Sequence, residues 1–286
     1  MLAVLARHAA VFLEPLHGVG VEHFAPYVGI VAGRIATHDV REIGIAVTRR
    51  QRVEVGAGSS HIFRGIREAE ENLEANLELN YGRLYGGIWT MKPFCRGERN
   101  QVDWSLGFRS EPNRRFVWDA GLVFHNFPGS HHGTFGTRRG LEGHIGLSMA
   151  LTNRLAATGY FYHDWHRKAS TAEGRLTWQQ PFKDAPALLI VDLFGGNVHA
   201  QNLFPEKPLP KWDEDYSYYG FTVRAEYRLT PQVTLTPGVQ HSGHRNLRSG
   251  KTSGMPVATP CDDCGDHIDP YEGSSWWWFV RLTSTF

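Results

Sequence analysis

The chain has 286 residues, 41% apolar and 21% charged, with 30 basic against 29 acidic residues and a formal net charge of +1. That balance excludes a strongly basic nucleic-acid binder and an acidic tail as organising themes. No run of about eighteen apolar residues occurs, so no transmembrane helix is expected, and three cysteines are too few for a disulfide-built scaffold.

Residues 1–50 lack clear strand alternation. Residues 1–13 are apolar, but Arg7 and His8 interrupt them and no basic residue precedes them, a poor fit to a secretory signal. An atypical leader or N-terminal extension is expected here, disordered or mis-assigned, with a plug or helix as the alternative.

From Arg52 onward the period is two, so residues i and i+2 share a face. Leu73, Ala75, Leu77 and Leu79 oppose Glu74, Asn76, Glu78 and Asn80. Val102, Trp104, Leu106 and Phe108 oppose Asp103, Ser105, Gly107 and Arg109. Leu141, Gly143, Ile145, Leu147 and Met149 oppose Glu142, His144, Gly146 and Ser148. Tyr219, Phe221, Val223, Ala225 and Tyr227 oppose Gly220, Thr222, Arg224, Glu226 and Arg228. About twelve such segments are expected: 52–64, 72–81, 84–94, 100–110, 115–127, 140–151, 154–165, 170–180, 187–198, 216–229, 232–242 and 275–286. Most have the length of a tilted membrane-crossing strand, longer than a typical soluble one.

Connection lengths alternate with parity. The even ones are short: 82–83, 111–114, 152–153, 181–186 and 230–231. Most odd ones are longer: 65–71, 95–99, 128–139, 166–169, 199–215 and 243–274. Outer-membrane barrels have tight periplasmic turns and long outer loops, whereas a soluble sandwich has no reason to sort loop length this way. An even strand count is expected to put both termini on the periplasmic side.

The last segment carries Trp276, Trp278, Val280, Leu282 and Phe286 on one face. An aromatic cluster at one end and a terminal Phe at the other suit the two interfacial girdles of a barrel strand. The run resembles the C-terminal signal read by barrel-assembly machinery; the bland alternative is an edge strand with a chance Phe.

The expected fold is therefore all-β: a transmembrane antiparallel up-and-down β-barrel of about twelve strands. In hydrocarbon each unpaired backbone polar group costs several kcal/mol, so a sheet must close on itself. The inward, pore-lining set is Glu54, Glu74, Glu78, Asp103, Arg109, Asp119, Glu142, His144, Glu173, Arg175, Arg224, Glu226, Arg228 and Arg281. Both signs are present, so this face can form ion pairs. With about twelve strands the lumen should be narrow or partly filled by side chains.

Val55-Gly56-Ala57-Gly58-Ser59-Ser60-His61-Ile62-Phe63-Arg64-Gly65-Ile66 resembles the first strand of the TorF-type porin family, in which a Phe-Arg-Gly-Ile segment follows a tyrosine. Val102-Asp103 with Gly107 resembles its acidic strand. The run from Trp118-Asp119-Ala120-Gly121 to Phe127-Pro128-Gly129 is similar to its aspartate–glycine strand and aromatic–Pro–Gly turn. The likeness covers residues 52–286 and is diffuse after residue 130. His61 stands where the family has Tyr, and Asn126-Phe127 replaces a Tyr-rich pair; residues 1–50 and the Cys-bearing last loop have no counterpart. The resemblance implies an outer-membrane channel barrel and names neither a solute nor catalytic residues. Gly65, Gly121 and Gly129 suit bends and turns.

Other constellations compete with plainer readings. Cys261 and Cys264 in a CxxC, with His267 nearby, offer three zinc ligands but no second CxxC, so a local disulfide or plain loop is the simpler expectation. Cys95 stays unpaired. His131, His132, His163, His166, His199, His241, His244 and His267 all map to the outer end, where a converging set could gather a transition metal and a scattered set is merely solvated. His241-Ser242-Gly243-His244 with Asn246 places Ser near His, as a lipid hydrolase would, without the His-x-Ser-Asn order. Tyr85-Gly86-Gly87 precedes no helix and is no phosphate loop; 207–211 reads as a stiff Pro-rich spacer.

The expected function is passive passage of small polar solutes or ions through a bacterial outer membrane, without catalysis, cofactor or resident metal. The expected partners are outer-membrane lipid, the barrel-assembly machinery and the solute, and no nucleic acid. A structural or adhesive surface barrel acting through its long loops is the alternative, ahead of a lipid-modifying hydrolase and a soluble lipocalin-like barrel with its apolar rows inside.

Overall fold

Alternation of period two leads to strands and to nothing else. Among the described residues of the computed structural model (49–94, 100–110, 115–128, 139–201, 214–245 and 274–286) there is no helix. The strands are β1 (Arg49–Gly58), β2 (His61–Phe63), β3 (Ile66–Ala69), β4 (Asn72–Tyr81), β5 (Leu84–Pro93), β6 (Gln101–Arg109) and β7 (Phe116–Asn126). They continue as β8 (Arg139–Ala150), β9 (Leu155–Asp164), β10 (Ala169–Pro181), β11 (Ala187–Ala200), β12 (Glu214–Arg228), β13 (Val233–Arg245) and β14 (Ser274–Thr285).

Twelve of these, β1 and β4–β14, pair antiparallel with their neighbours and form a closed barrel. The seam joins β1 to β14, from Arg52 opposite Thr285 to Gly58 opposite Phe279. Closure removes both free edges, so the ladders pair around the ring. The connections 82–83, 110–115, 151–154, 182–186 and 229–232 lie at one end, the short-turn end; those at the other are mostly longer, which makes it the long-loop end. Residues 1–48, Cys95, Gly129, His131, His132, 207–211, Asn246, Cys261, Cys264 and His267 lie outside the described residues.

The apolar rows look outward. Leu106 is 64% exposed, Leu193 54% and Ile145 51%, whereas Asp103 and Asp192 inside are 0%. A soluble protein does not leave such a continuous apolar face in water; a bilayer supplies the missing contact. Two girdles border the face. Trp118, Trp178 and Phe286 are exposed at the short-turn end, Trp165 and Trp276 at the long-loop end. Trp278 and Phe286 are exposed on the outer side of β14, with Val280 and Leu282 half-buried on the same row. The lipocalin-like alternative needs these rows inside and is excluded.

The first expected segment, 52–64, is not one strand. β1 stops at Gly58, where Ser59 caps the seam: its N–H donates to the Trp278 carbonyl at 3.0 Å, and its Oγ accepts the Trp278 N–H at 3.0 Å. The chain then turns inward as a separate two-stranded sheet, β2–β3, within what the sequence marks as strand and loop. Its two-residue turn has Arg64 at φ 49° and Gly65 at φ 81°, a primed hairpin turn. Glycine is required at 65 twice over. Its φ is left-handed, and a Cβ there would meet the Tyr218 Cβ at 2.8 Å. Arg64 takes the same backbone region at a cost of about 1–2 kcal/mol for an L-residue, which its ion pair with Glu142 offsets.

Candidate functional site

The β2–β3 hairpin lies across the long-loop end of the lumen and is docked there by both polar and apolar contacts. At its tip Arg64 donates from Nη1 to Glu142 Oε2 at 2.7 Å and from Nη2 to Oε1 at 2.9 Å, a bidentate pair. The guanidinium also lies 4.5 Å from the ring centres of Phe63 and Tyr162. Ile62 packs with Trp277 and Phe279 of β14. Ile66 packs on Val198, Tyr216 and Tyr218 of β11 and β12. Ala69 packs with Trp89 and Met91 of β5. His61 is buried beside Trp89, with Nδ1 3.4 Å from Glu74 and Nε2 3.9 Å from Glu68. Burial pushes the imidazole down, but Glu74 and Glu68 outweigh it and hold its pKa above the ordinary 6.5.

Below the hairpin the inward residues join in ion-paired networks. Asp119 accepts the Tyr85 hydroxyl at 2.7 Å, Arg109 Nε at 2.9 Å and the Tyr160 hydroxyl at 3.2 Å, and His144 Nε2 lies 3.3 Å away. Arg109 also approaches Glu78 at 3.9 Å. Asp192 accepts the Thr177 hydroxyl at 2.6 Å and pairs with Arg224; Arg175 is 4.0 Å from it. Glu173 pairs with Arg175 at 3.3 Å and accepts the Tyr218 hydroxyl at 2.6 Å. Arg281 reaches Glu54 at 3.7 Å and Glu74 at 3.4 Å, and Arg52 pairs with Glu54 at 2.7 Å. Near the hairpin, Gln101 Nε2 donates to both Asp103 oxygens, and His125 Nδ1 lies 3.1 Å from Asp103.

Glycines make room for the inward aromatics. A Cβ at Gly121 would meet His144 Cε1 at 2.8 Å and the Leu106 carbonyl at 2.9 Å; one at Gly174 would meet nothing within 4 Å. Gly121→Ala is therefore expected to destabilise the barrel by about 1–3 kcal/mol. Gly174→Ala is expected to change stability by less than about 0.5 kcal/mol. Denaturant titrations of both variants in detergent check the contrast; equal effects would show that the interior can give way at Gly121.

The expected inward residues Glu54, Glu74, Glu78, Asp103, Arg109, Asp119, Glu142, His144, Glu173, Arg175, Arg224, Glu226 and Arg281 are buried or half-buried inside the ring. Arg228 is instead exposed at the short-turn end, because β12 finishes there. Asp192, Tyr85, Tyr160, Tyr218 and the tip residue Arg64 belong to the same site and were not singled out from the sequence. Asp192 could have been: it alternates with Leu193, but the apolar run 188–191 hides the period. Ser242 is 2% exposed on the inner face, while His241 sits on the outer face against Phe221 and Trp276. A lipid hydrolase needs its serine toward lipid, so this pair does not form such a site. Of the outer-end histidines, His163 meets Ser170 and His199 pairs with Asp215, the four lying in one register row across β9–β12; no group able to hold a metal forms among the described residues.

No protein-family model and no curated protein matches the sequence. Solved structures with similar folds include the NanC porin, 12% identical, covering 81% of this chain and 98% of that one at a TM-score of 0.48. The KdgM porin, in complex with disordered oligogalacturonate, is 8% identical, with 83% and 99% covered and a TM-score of 0.48. A mutant of the monoaromatic hydrocarbon channel TodX is 11% identical, with 83% and 88% covered at 0.39. At such identities and scores the likeness carries no argument about solute. The strand pairing and the outward apolar belt themselves define a transmembrane β-barrel of the outer-membrane type.

Proposed function

We propose that this barrel is a porin-like channel of the bacterial outer membrane, passing small polar solutes or ions by diffusion. The observation that carries the reading is the arrangement of the ring. The charged rows face an enclosed interior, and the apolar rows face out. The Phe63–Ile66 segment, which resembles that of the TorF-type porins, supports placing the chain with that family. The outward row Trp278, Val280, Leu282 and Phe286 on the closing strand suits recognition by barrel-assembly machinery, and the belt suits outer-membrane lipid.

A second reading is favoured by one observation: the docked hairpin fills the long-loop end, as it would in a closed surface barrel acting through its loops. Conductance in a planar bilayer separates the two. The channel reading expects discrete steps from the refolded full chain. It also expects Arg228→Gln, at the exposed short-turn mouth, to shift the reversal potential toward cations. Silence of protein whose insertion has been verified would leave the closed surface barrel standing.

A further inference from the structure

The hairpin does not seal the lumen equally on all sides. Toward β14, β11–β12 and β5 it is closed by the apolar contacts of Ile62, Ile66 and Ala69. Toward β6–β9 a gap remains, bordered by Phe63 and Glu68 of the hairpin and by Gln101, His125, Glu142 and Asp164 of the wall, with Arg167 at its rim. It has room for about one water-sized sphere. Gln101 is 6% exposed, and its Oε1, buried with no hydrogen-bond partner, borders this gap. An acceptor left over in this way suits a cation or its hydration water.

Charge at this level is lopsided. Among the described residues the six carboxylates Glu68, Glu70, Glu74, Asp103, Glu142 and Asp164 face four arginines, Arg64, Arg67, Arg167 and Arg281. His61 and His125 lie between carboxylates and offset part of the excess. Glu142 is taken up by Arg64, and Asp164 accepts the backbone N–H groups of His166 and Arg167. Among the described residues Glu68 reaches only the shared His61, at 3.9 Å, so it is the carboxylate of this group best able to meet a passing ion. Low-dielectric walls around such a site strengthen its field.

We propose that the gap between the β2–β3 hairpin and β6–β9 is the selectivity element of the channel, admitting small cations and excluding anions and sugar-sized solutes, with Glu68 and Gln101 as the residues that set this preference. The inference rests on the channel reading above and narrows its solute class. The three apolar contacts make the hairpin a fixed constriction, so size exclusion follows from its position and charge preference from Glu68.

The test uses the refolded full chain in planar bilayers under a potassium chloride gradient, with circular dichroism verifying strand content in every variant. The wild type should reverse on the cation side and exclude sugars in liposome swelling. Glu68→Lys, at a half-exposed position, should move the reversal potential toward anions, and Glu68→Gln should lie between. Replacing residues 60–70 by a short Gly-Ser bridge should raise unit conductance several-fold and admit sugars. A conducting wild type whose selectivity is unchanged by Glu68→Lys overturns the inference and leaves the channel intact. A silent wild type beside a conducting bridged variant also overturns it, since the gap then carries nothing. If both are folded, inserted and silent, the channel reading itself falls.

Discussion

Asp119→Ala is expected to lower the unfolding free energy by about 3–5 kcal/mol, the largest single loss in the interior. The carboxylate is 4% exposed and receives Arg109, Tyr85 and Tyr160, with His144 alongside. Its removal leaves the half-buried Arg109 guanidinium with Glu78 at 3.9 Å and the Tyr85 ring, the Tyr160 hydroxyl without its acceptor, and the Tyr85 hydroxyl with His144 at 3.1 Å. Each group left short of a partner carries its own desolvation penalty. Removing the arginine together with the aspartate, as Asp119→Ala with Arg109→Met, should restore part of the loss, because an absent pair is cheaper than a broken one. Denaturant titration in detergent micelles reads both variants. A single-variant loss below about 1 kcal/mol would mean that water reaches the cluster freely and that the lumen is wider there than these contacts imply.

Ile145→Arg tests the outward face in the same assay, carried out in lipid. Ile145 is 51% exposed near the middle of β8, on the row with Leu141 and Leu147. A guanidinium at the bilayer midplane of a barrel costs about 2–4 kcal/mol, falling to about 0–1 kcal/mol near the interface. Leu84, the first residue of β5 and 54% exposed, supplies the interfacial control. Leu84→Arg should therefore be nearly silent while Ile145→Arg is severe. Equal costs at the two depths would contradict a hydrocarbon environment around the ring.

The faces of β4, β6, β8 and β12 were legible because apolar and polar residues alternate along most of each strand, with charge on one side. Loop parity carried the topology, since tight turns and long loops fall at opposite ends of an up-and-down barrel. The hairpin at 61–69 was not legible. Strands of three and four residues are too short for any period to register, and the primed turn carries Arg64 where Asn would announce it. The inward aromatics were missed for a related reason. Hydropathy alternation treats Trp277 like its neighbours Trp276 and Trp278, yet Trp277 is 5% exposed and they are 62% and 53%.

The amino-acid order alone determined that the chain closes into a ring of strands with greasy rows outside, because a period of two and the lack of water in hydrocarbon permit little else. Only the three-dimensional arrangement decided what the ring contains. Arg64 meets Glu142 across 78 positions of sequence, and Ile62, Ile66 and Ala69 find their partners on separate walls. No local pattern encodes such meetings, because they depend on how closure brings distant strands to face one another across a common interior.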